Sequence, residues 1–307
     1  MSTIGFDTSN YTTSIACFDG ASGENCSQLL PVKPGELGLR QSDAVFQHIK
    51  SLPELSSRLF SHISAEDITA VGVSTRPRAV DGSYMPCFTV GYSHAVLLAS
   101  ALHVPLYEFS HQQGHVASSV WSAGRKDLLS KPHLAWHLSG GTTELLLVEP
   151  EGRSFSCRKI GGTSDISAGQ LIDRTGQLLN LPFPAGKHLD ALSQQAARKD
   201  VFPVKCSQLT FSLSGVQNKV QEYDSKYSDP AETAAYALRC ICHAVLKTTQ
   251  EAMQQYPDLP VVFSGGVASN SMLRDALQPV SPIFAQPQYS TDNAMGAAIL
   301  AYYAQEG

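Results

Sequence analysis

Apolar and polar positions alternate in short bursts at the start of the chain, first in Thr3-Ile-Gly-Phe-Asp7 and again in Ile15-Ala-Cys-Phe18. Each burst is too short for a helix and reads as a strand, and the hydroxyl-rich Thr8-Ser-Asn-Tyr-Thr-Thr-Ser14 between them reads as a turn. The pattern returns near residue 134. Leu134-Ala-Trp-His-Leu138 and Glu144-Leu-Leu-Leu-Val148 flank a second turn, Ser139-Gly-Gly-Thr-Thr143. Helical periodicity follows each hairpin, over about 42–61 and 83–102 in the first half and 166–179, 187–198 and 231–255 in the second. Ala70-Val-Gly-Val73 and Leu259-Pro-Val-Val-Phe263 are short apolar runs between turn residues, the signature of buried sheet strands. Residues 293–305 read as a closing helix. Repetition of one order of elements predicts a duplicated α/β architecture with a cleft between two halves. The first half is residues 1–125 completed by a C-terminal helix over 293–307, and the second is 126–292.

Composition narrows the picture without changing it. The 307 residues are 43% hydrophobic and 16% charged, enough to bury the cores of two domains. No apolar stretch is long enough to span a bilayer, and Met-Ser-Thr-Ile-Gly-Phe-Asp lacks the order of a signal peptide, so a cytoplasmic protein with no membrane contact is expected. A net charge of −5 argues against broad, non-specific nucleic-acid binding; any RNA contact would be focal or shared with a partner. Seven scattered cysteines without a Cys-x-x-Cys read as reduced thiols. Cys240 and Cys242, two apart in a helical pattern, diverge rather than share a metal.

Chemistry concentrates at a few places. His111 and His115, in Phe109-Ser-His-Gln-Gln-Gly-His-Val116, are four apart and share one face of a helix, so both can reach one metal ion. Such a pair is also common on a solvated helix face. The two hairpin turns expose backbone N–H groups suited to phosphate, with Ser139, Gly140, Gly141 and Thr142 in the second. A third Gly turn, Phe263-Ser-Gly-Gly-Val-Ala-Ser-Asn270, follows a strand and opens a helix over 271–277. Gly265 and Gly266 let the main chain approach a ligand, and Asn270 offers a donor and an acceptor to a ribose or base. The turn is neither a dinucleotide fingerprint nor a Walker loop.

Eight motifs in this order resemble the TsaD family, the bacterial tRNA adenosine threonylcarbamoyltransferases once called O-sialoglycoprotein endopeptidases. They are Gly5-Phe-Asp-Thr-Ser9, His111-x-x-x-His115, Ser139-Gly-Gly141, Ala168-Gly-Gln-Leu-Ile-Asp173, Phe183-Pro-Ala-Gly186, Phe211-Ser-Leu-Ser-Gly215, Ser264-Gly-Gly-Val-Ala-Ser-Asn270 and Ser290-Thr-Asp-Asn293. The resemblance implies the duplicated fold of actin, sugar kinases and heat-shock chaperone ATPases, with a nucleotide- and metal-binding cleft. It implies that His111, His115 and Asp292 hold one divalent ion, iron or zinc. Read without the resemblance, Asp292 is a helix N-cap. Asp173, Gly186, Asp190 and Asn270 fall where the family holds adenosine; Asp173 and Asp190 otherwise read as exposed helix acids. Asp7, Ser9 and Thr12 fall at the reacting end. The implied donor is threonylcarbamoyl-AMP, an adenine nucleotide related in its binding to ATP, and the implied acceptor is N6 of adenine 37 in tRNA. The implied partners are a smaller paralogue of the same fold and an ATPase. The apolar run 90–99 suits either core or a homodimer face.

The departures are specific. The family's first loop, Asp/Glu-Thr-Ser-Cys-Asp-Glu-Thr, is here Asp7-Thr-Ser-Asn-Tyr-Thr-Thr13, so Tyr11 and Thr12 replace two carboxylates. Its Ser-Gly-Gly-His-Thr is Ser139-Gly-Gly-Thr-Thr143. Its Ala-Gly-Pro-Gly-Leu is Thr75-Arg-Pro-Arg-Ala79, and its Pro-Gly-Gly-Pro is Pro184-Ala-Gly-Lys187. Arg76, Arg78 and Lys187 are extra cations that suit either a further phosphate or solvent. Two rivals to transfer follow: a divergent nucleotide-binding paralogue that acts as partner or regulator of tRNA modification, and an ATPase of the same fold. No Ser-His-Asp constellation, Gly-x-Ser-x-Gly or His-Glu-x-x-His supports a peptidase.

Overall fold

A computed structural model describes residues 1–9, 11–32 and 39–306. Asn10, in the first turn, and Gly307, in the expected closing helix, lie outside the described residues. Contacts divide the chain into two units, one comprising residues 1–131, 149–157 and 292–307 and the other 132–148 and 158–291.

Unit 1 is built on a five-stranded sheet. Strands β1 (Ser2–Asp7), β2 (Thr12–Phe18) and β3 (Gly23–Leu29) form an antiparallel meander. After helix α1 (Gln41–Phe60) come β4 (Ile68–Arg76), helix α2 (Phe88–Leu102), β5 (Leu106–Ser110) and helix α3 (His111–Ser122). The order is β3-β2-β1-β4-β5, with β4 and β5 parallel to β1. Period-two alternation decides which side chain goes where. Ile4 and Phe6 of β1 join Leu52, Leu55 and Leu59 of α1 and Val90 and Ala95 of α2 in one core. Each of these large side chains contributes roughly 1.5–3 kcal/mol by leaving water. Thr3, Gly5 and Asp7 point to the other face, where the C-terminal helix Met295–Glu306 crosses the sheet. Thr3 Oγ1 donates to the Ala298 carbonyl at 2.7 Å. Gly5 pairs with Gly72 across β1 and β4, and a Cβ on either would overlap helix backbone, so this pair lets the helix lie directly on the strands.

Unit 2 repeats the plan. Strands β6 (His133–Leu138), β7 (Thr143–Glu151) and β8 (Ser154–Thr163) are neighbours in its sheet, the tip of the last two being counted with unit 1. Then come α4 (Ala168–Leu178), α5 (Gly186–Ser193), the two-residue strands β9 (Cys206–Ser207) and β10 (Thr210–Phe211), α6 (Ser214–Tyr227) and α7 (Pro230–Gln255). Strand β11 (Val261–Ser264), α8 (Ser271–Ala276) and β12 (Ile283–Phe284) complete it. The sheet order β12-β11-β6-β7-β8-β10-β9 contains the unit 1 order, with β9 and β10 added at one edge. Its core centres on Trp136, whose Nε1 donates to Thr249 Oγ1 at 2.9 Å inside α7.

Expected boundaries shift for local reasons. The helix expected over 83–102 begins at Phe88, after Pro86, and the one expected over 187–198 stops at Ser193. The closing helix begins at Met295, two residues late, because Asn293 Oδ1 accepts from the Met295 N–H at 3.1 Å and holds the chain out of the helix. All seven cysteines are free thiols. No helix among the described residues is long and apolar enough to cross a membrane.

Candidate functional site

Strand β5 runs straight into α3, and the join is fixed by its own side chains. Ser110 caps the helix: its Oγ accepts from the Gln113 N–H, while Gln113 Oε1 accepts from the Ser110 N–H at 2.8 Å. Gln113 Nε2 also donates to the Phe155 carbonyl at 2.8 Å. His111 is therefore the first residue of a rigid helix, and His115 lies one turn further on the same face.

The two imidazoles meet. Their Nε2 atoms are 2.9 Å apart, and Asp292 Oδ1 is 3.1 Å from His115 Nε2 and 3.4 Å from His111 Nε2. One ligand atom from each of the three residues lies within 4.8 Å of the others. The 2.9 Å separation fits one proton shared between the two Nε2 atoms and equally a cation held by both. Opposite the cluster, His111 Nδ1 donates to Asp7 Oδ2 at 2.8 Å, and Asp7 is almost wholly buried at the end of β1. Two imidazoles and a carboxylate, one ring braced by a second carboxylate, is a donor set that suits a divalent transition ion and leaves positions open to substrate. Burial alone would push the His111 ring down, but Asp7 and Asp292 override it and raise it to about 10. Burial likewise works to raise both carboxyls, and the histidine contacts reverse it, so both stay below the usual carboxylate range. Before the C-terminal helix it is Asn293 Oδ1 that accepts from the Met295 N–H, while an Asp292 oxygen meets both histidines.

The remaining residues of the first turn serve Asp7. The Ser9 N–H donates to Asp7 Oδ1 at 2.9 Å, and the Thr12 N–H donates to the Ser9 carbonyl at 3.1 Å, where β2 begins. Asp7 reaches the imidazole directly and Ser9 acts through it, while Thr12 is tied in by its backbone. Thr8, which sequence reasoning passed over, accepts from the Gly91 N–H and donates to the Cys87 carbonyl, pinning α2 to this turn. Phe88 then lies against His111, ring centroids 6.1 Å apart. The Ser110-x-x-Gln113 spacing was a legible capping signal; nothing in the local pattern marks Thr8 or Phe88.

The other expected residues gather in unit 2. The turn Ser139–Thr142 closes on itself, Ser139 N–H to Thr142 carbonyl and Thr142 N–H to Ser139 Oγ. It rests on the start of α4, where Gly169 packs on Gly140 with no room for a Cβ and Ser167 Oγ donates to the Gly140 carbonyl. Gly265, at φ 92°, packs against the Leu138 carbonyl at the end of the neighbouring strand β6, so both Gly turns share one end of the sheet. Gly140, Gly141, Gly186 and Gly266 each face open space. Asp173 Oδ1 accepts from the Ala185 N–H at 2.9 Å, which sets Gly186 at the start of α5, and partial burial pushes its carboxyl up. Asp190 has both oxygens committed to Ser271, one to its N–H and one to its hydroxyl. Asn270 Oδ1 caps α8 by accepting from the Leu273 N–H, which leaves its NH₂ to meet a ligand. Of the two expected ribose acids, Asp173 bonds through one oxygen and Asp190 through both. Arg76, Arg78 and Lys187 are exposed.

Comparison with known proteins identifies the family and the fold. Residues 36–299 match the family model described as TsaD, tRNA N6-adenosine threonylcarbamoyltransferase. The protein of that name from Carboxydothermus hydrogenoformans is 30% identical over 268 residues, covering 84% of this chain and 77% of the relative. Its namesake from Lactococcus lactis subsp. cremoris is 31% identical over 229 residues, 71% of this chain but 64% of the relative, so the chain spans less than two thirds of that protein. Among solved structures, T. kodakarensis HypF superposes with a TM-score of 0.61 at 14% identity, over all of this chain and 48% of HypF. Component A of Acidaminococcus fermentans (R)-2-hydroxyglutaryl-CoA dehydratase gives 0.59 at 16%, over the whole of both chains. At those identities the likeness concerns fold, and the fold is the duplicated actin-like ATPase fold. The chain belongs to the TsaD family of tRNA N6-adenosine threonylcarbamoyltransferases.

Proposed function

We propose that this chain is a metal-dependent transferase that moves a threonylcarbamoyl or closely related carbamoyl group from an adenylate to N6 of adenine 37 in tRNA. The observation that carries the metal dependence is the convergence of His111 Nε2, His115 Nε2 and an Asp292 oxygen, with Asp7 behind His111. These three residues would hold one iron or zinc ion, which when bound supplies Lewis acidity and a template for substrate oxygens. Asp7 keeps the proton of His111 on Nδ1 and so directs Nε2 inward. The N–H groups of the Ser139–Thr142 and Gly265–Gly266 turns hold the nucleotide phosphate, Asp173 accepts from a ribose hydroxyl, and the Asn270 amide donates to the nucleoside. In the transfer, the new C–N bond forms at the carbamoyl carbon as its bond to the phosphate oxygen breaks. Neither Tyr11 nor Thr12 can accept the amine proton at neutral pH; the departing AMP phosphate, with a second pKa of about 6, takes it. By family resemblance a smaller paralogue and an ATPase are its partners.

Metal analysis of the purified protein tests the reading, alongside His111→Ala and Asp292→Ala. About one iron or zinc per chain is expected, lost in both variants, with AMP release in the presence of tRNA falling sharply in both. AMP release that survives both substitutions overturns the metal role. The replacement of the acidic pair by Tyr11 and Thr12 favours a second reading, a nucleotide-binding paralogue that regulates tRNA modification. A metal-free wild type that binds AMP or ATP without transfer would establish that one.

A further inference from the structure

Unit 1 carries a second feature that the transferase reading does not use. Between the end of β4 and the start of α2, a pocket of about 200 Å³ is lined by Thr75, Tyr84, Phe88, Thr89, Tyr92 and Glu108. Tyr84 comes from the segment between β4 and α2 and is 66% exposed. Tyr92, one turn into α2, is 39% exposed, and Phe88 forms the buried floor. Three aromatic rings thus surround a space with one carboxylate at its rim.

The polar lining is of one kind. Thr75 Oγ1 donates to the Phe109 carbonyl and Thr89 Oγ1 to the Pro86 carbonyl, so both hydroxyl protons are spent and only lone pairs remain for a ligand. Glu108 has no hydrogen-bond or ion-pair partner among the described residues. No lysine or arginine lines the pocket, and the nearby Arg76 and Arg78 are not part of it. An anion would meet no donor except the two phenols. A positive group would meet ring faces, which attract cations, and an unpaired carboxylate.

The geometry points to a binding site for an organic cation, an ammonium or guanidinium group, caged by Tyr84, Tyr92 and Phe88 and paired with Glu108. Glu108 and the two tyrosines take no part in the His111–His115–Asp292 cluster, although Phe88, at the start of α2, lies against His111. The cation can come from a free quaternary amine or from a side chain of another protein, and the two sources are separable. Binding of choline and of N-acetyl-arginine amide to the full chain is measured by calorimetry, with 3,3-dimethylbutan-1-ol as the uncharged isostere of choline. At least one cation binds saturably, about tenfold or more tightly than the alcohol, and Glu108→Gln and Tyr84→Ala each weaken it about tenfold. Choline binding alone assigns the site to a free amine, and arginine amide binding alone assigns it to a protein segment. Failure of both cations to bind, equal binding of the alcohol, or no effect of Glu108→Gln overturns the assignment. The Gln variant keeps the shape of an exposed side chain, so loss of fold does not confound it.

Discussion

Asp7 is a buried carboxylate whose two oxygens do different work. Oδ1 turns the chain by accepting from Ser9, and Oδ2 holds the proton of His111. In Asp7→Asn the amide keeps the first bond, but its NH₂ faces Nδ1 and forces the proton to Nε2, the atom needed for the ion. Metal affinity should then fall about 10–100-fold in a protein that still folds, read by competition with a chelator. Unchanged affinity would mean that the tautomer is set elsewhere. His48 makes a separate prediction. Its ring is wholly buried, Nδ1 bonded to Thr13 Oγ1 at 2.8 Å, and burial drives its pKa down to about 4 against a weaker upward pull from Asp7. The unfolded chain takes this proton near 6.5 and the folded chain does not, so stability is full above 6.5 and falls as pH drops toward 4. The loss is about 3 kcal/mol across that window. Urea midpoints at pH 7, 5.5 and 4.5 should show the slope, and His48→Gln should flatten it. The convergence of His111, His115 and Asp292 was legible residue by residue, because few residue types suit a metal site and their spacing carries the motif. His48 and Glu108 were not, since burial and an absent partner are properties of the fold.

At the scale of elements, the centre depends on how closely α3 meets the C-terminal helix. A Cβ on Gly296 would overlap the carbonyl of Gly114, which lies between the two histidines, whereas a Cβ on Gly114 finds only ordinary contacts. Gly296→Ala should therefore cost about 2 kcal/mol or more in thermal unfolding and reduce bound metal, by prising α3 off the helix that follows Asp292. Gly114→Ala should be neutral or slightly stabilising through helix propensity, with metal content unchanged. Equal behaviour of the two variants would show that the contact does not set the site. Hairpins and long amphipathic helices were readable from periodicity. Strand β3, Gly-Glu-Asn-Cys-Ser-Gln-Leu, was not, because an edge strand buries only Cys26 and carries no apolar alternation. Helix α6 escaped for a similar reason, with only Val216, Val220 and Tyr223 buried along fourteen mostly polar residues.

At the scale of the whole molecule, duplication was visible as two hairpins of similar spacing, and the sheet orders give it physical form. Composition could not reveal how the units share the chain. Unit 1 recruits the hairpin tip 149–157 and the last residues from 292 onward, contacts that link distant positions and leave no local trace. That interleaving has a consequence for synthesis. His115 and Asp292 are 177 positions apart, and at about 5–20 residues per second the ribosome needs roughly 9–35 s to travel from one to the other. During that interval the nascent chain displays both imidazoles and Asp7 without their third ligand, and the sheet of unit 1 lacks the helix that covers one face. Under the proposed metal role, a polypeptide released before residue 292 has emerged would carry two of the three donors and no assembled centre.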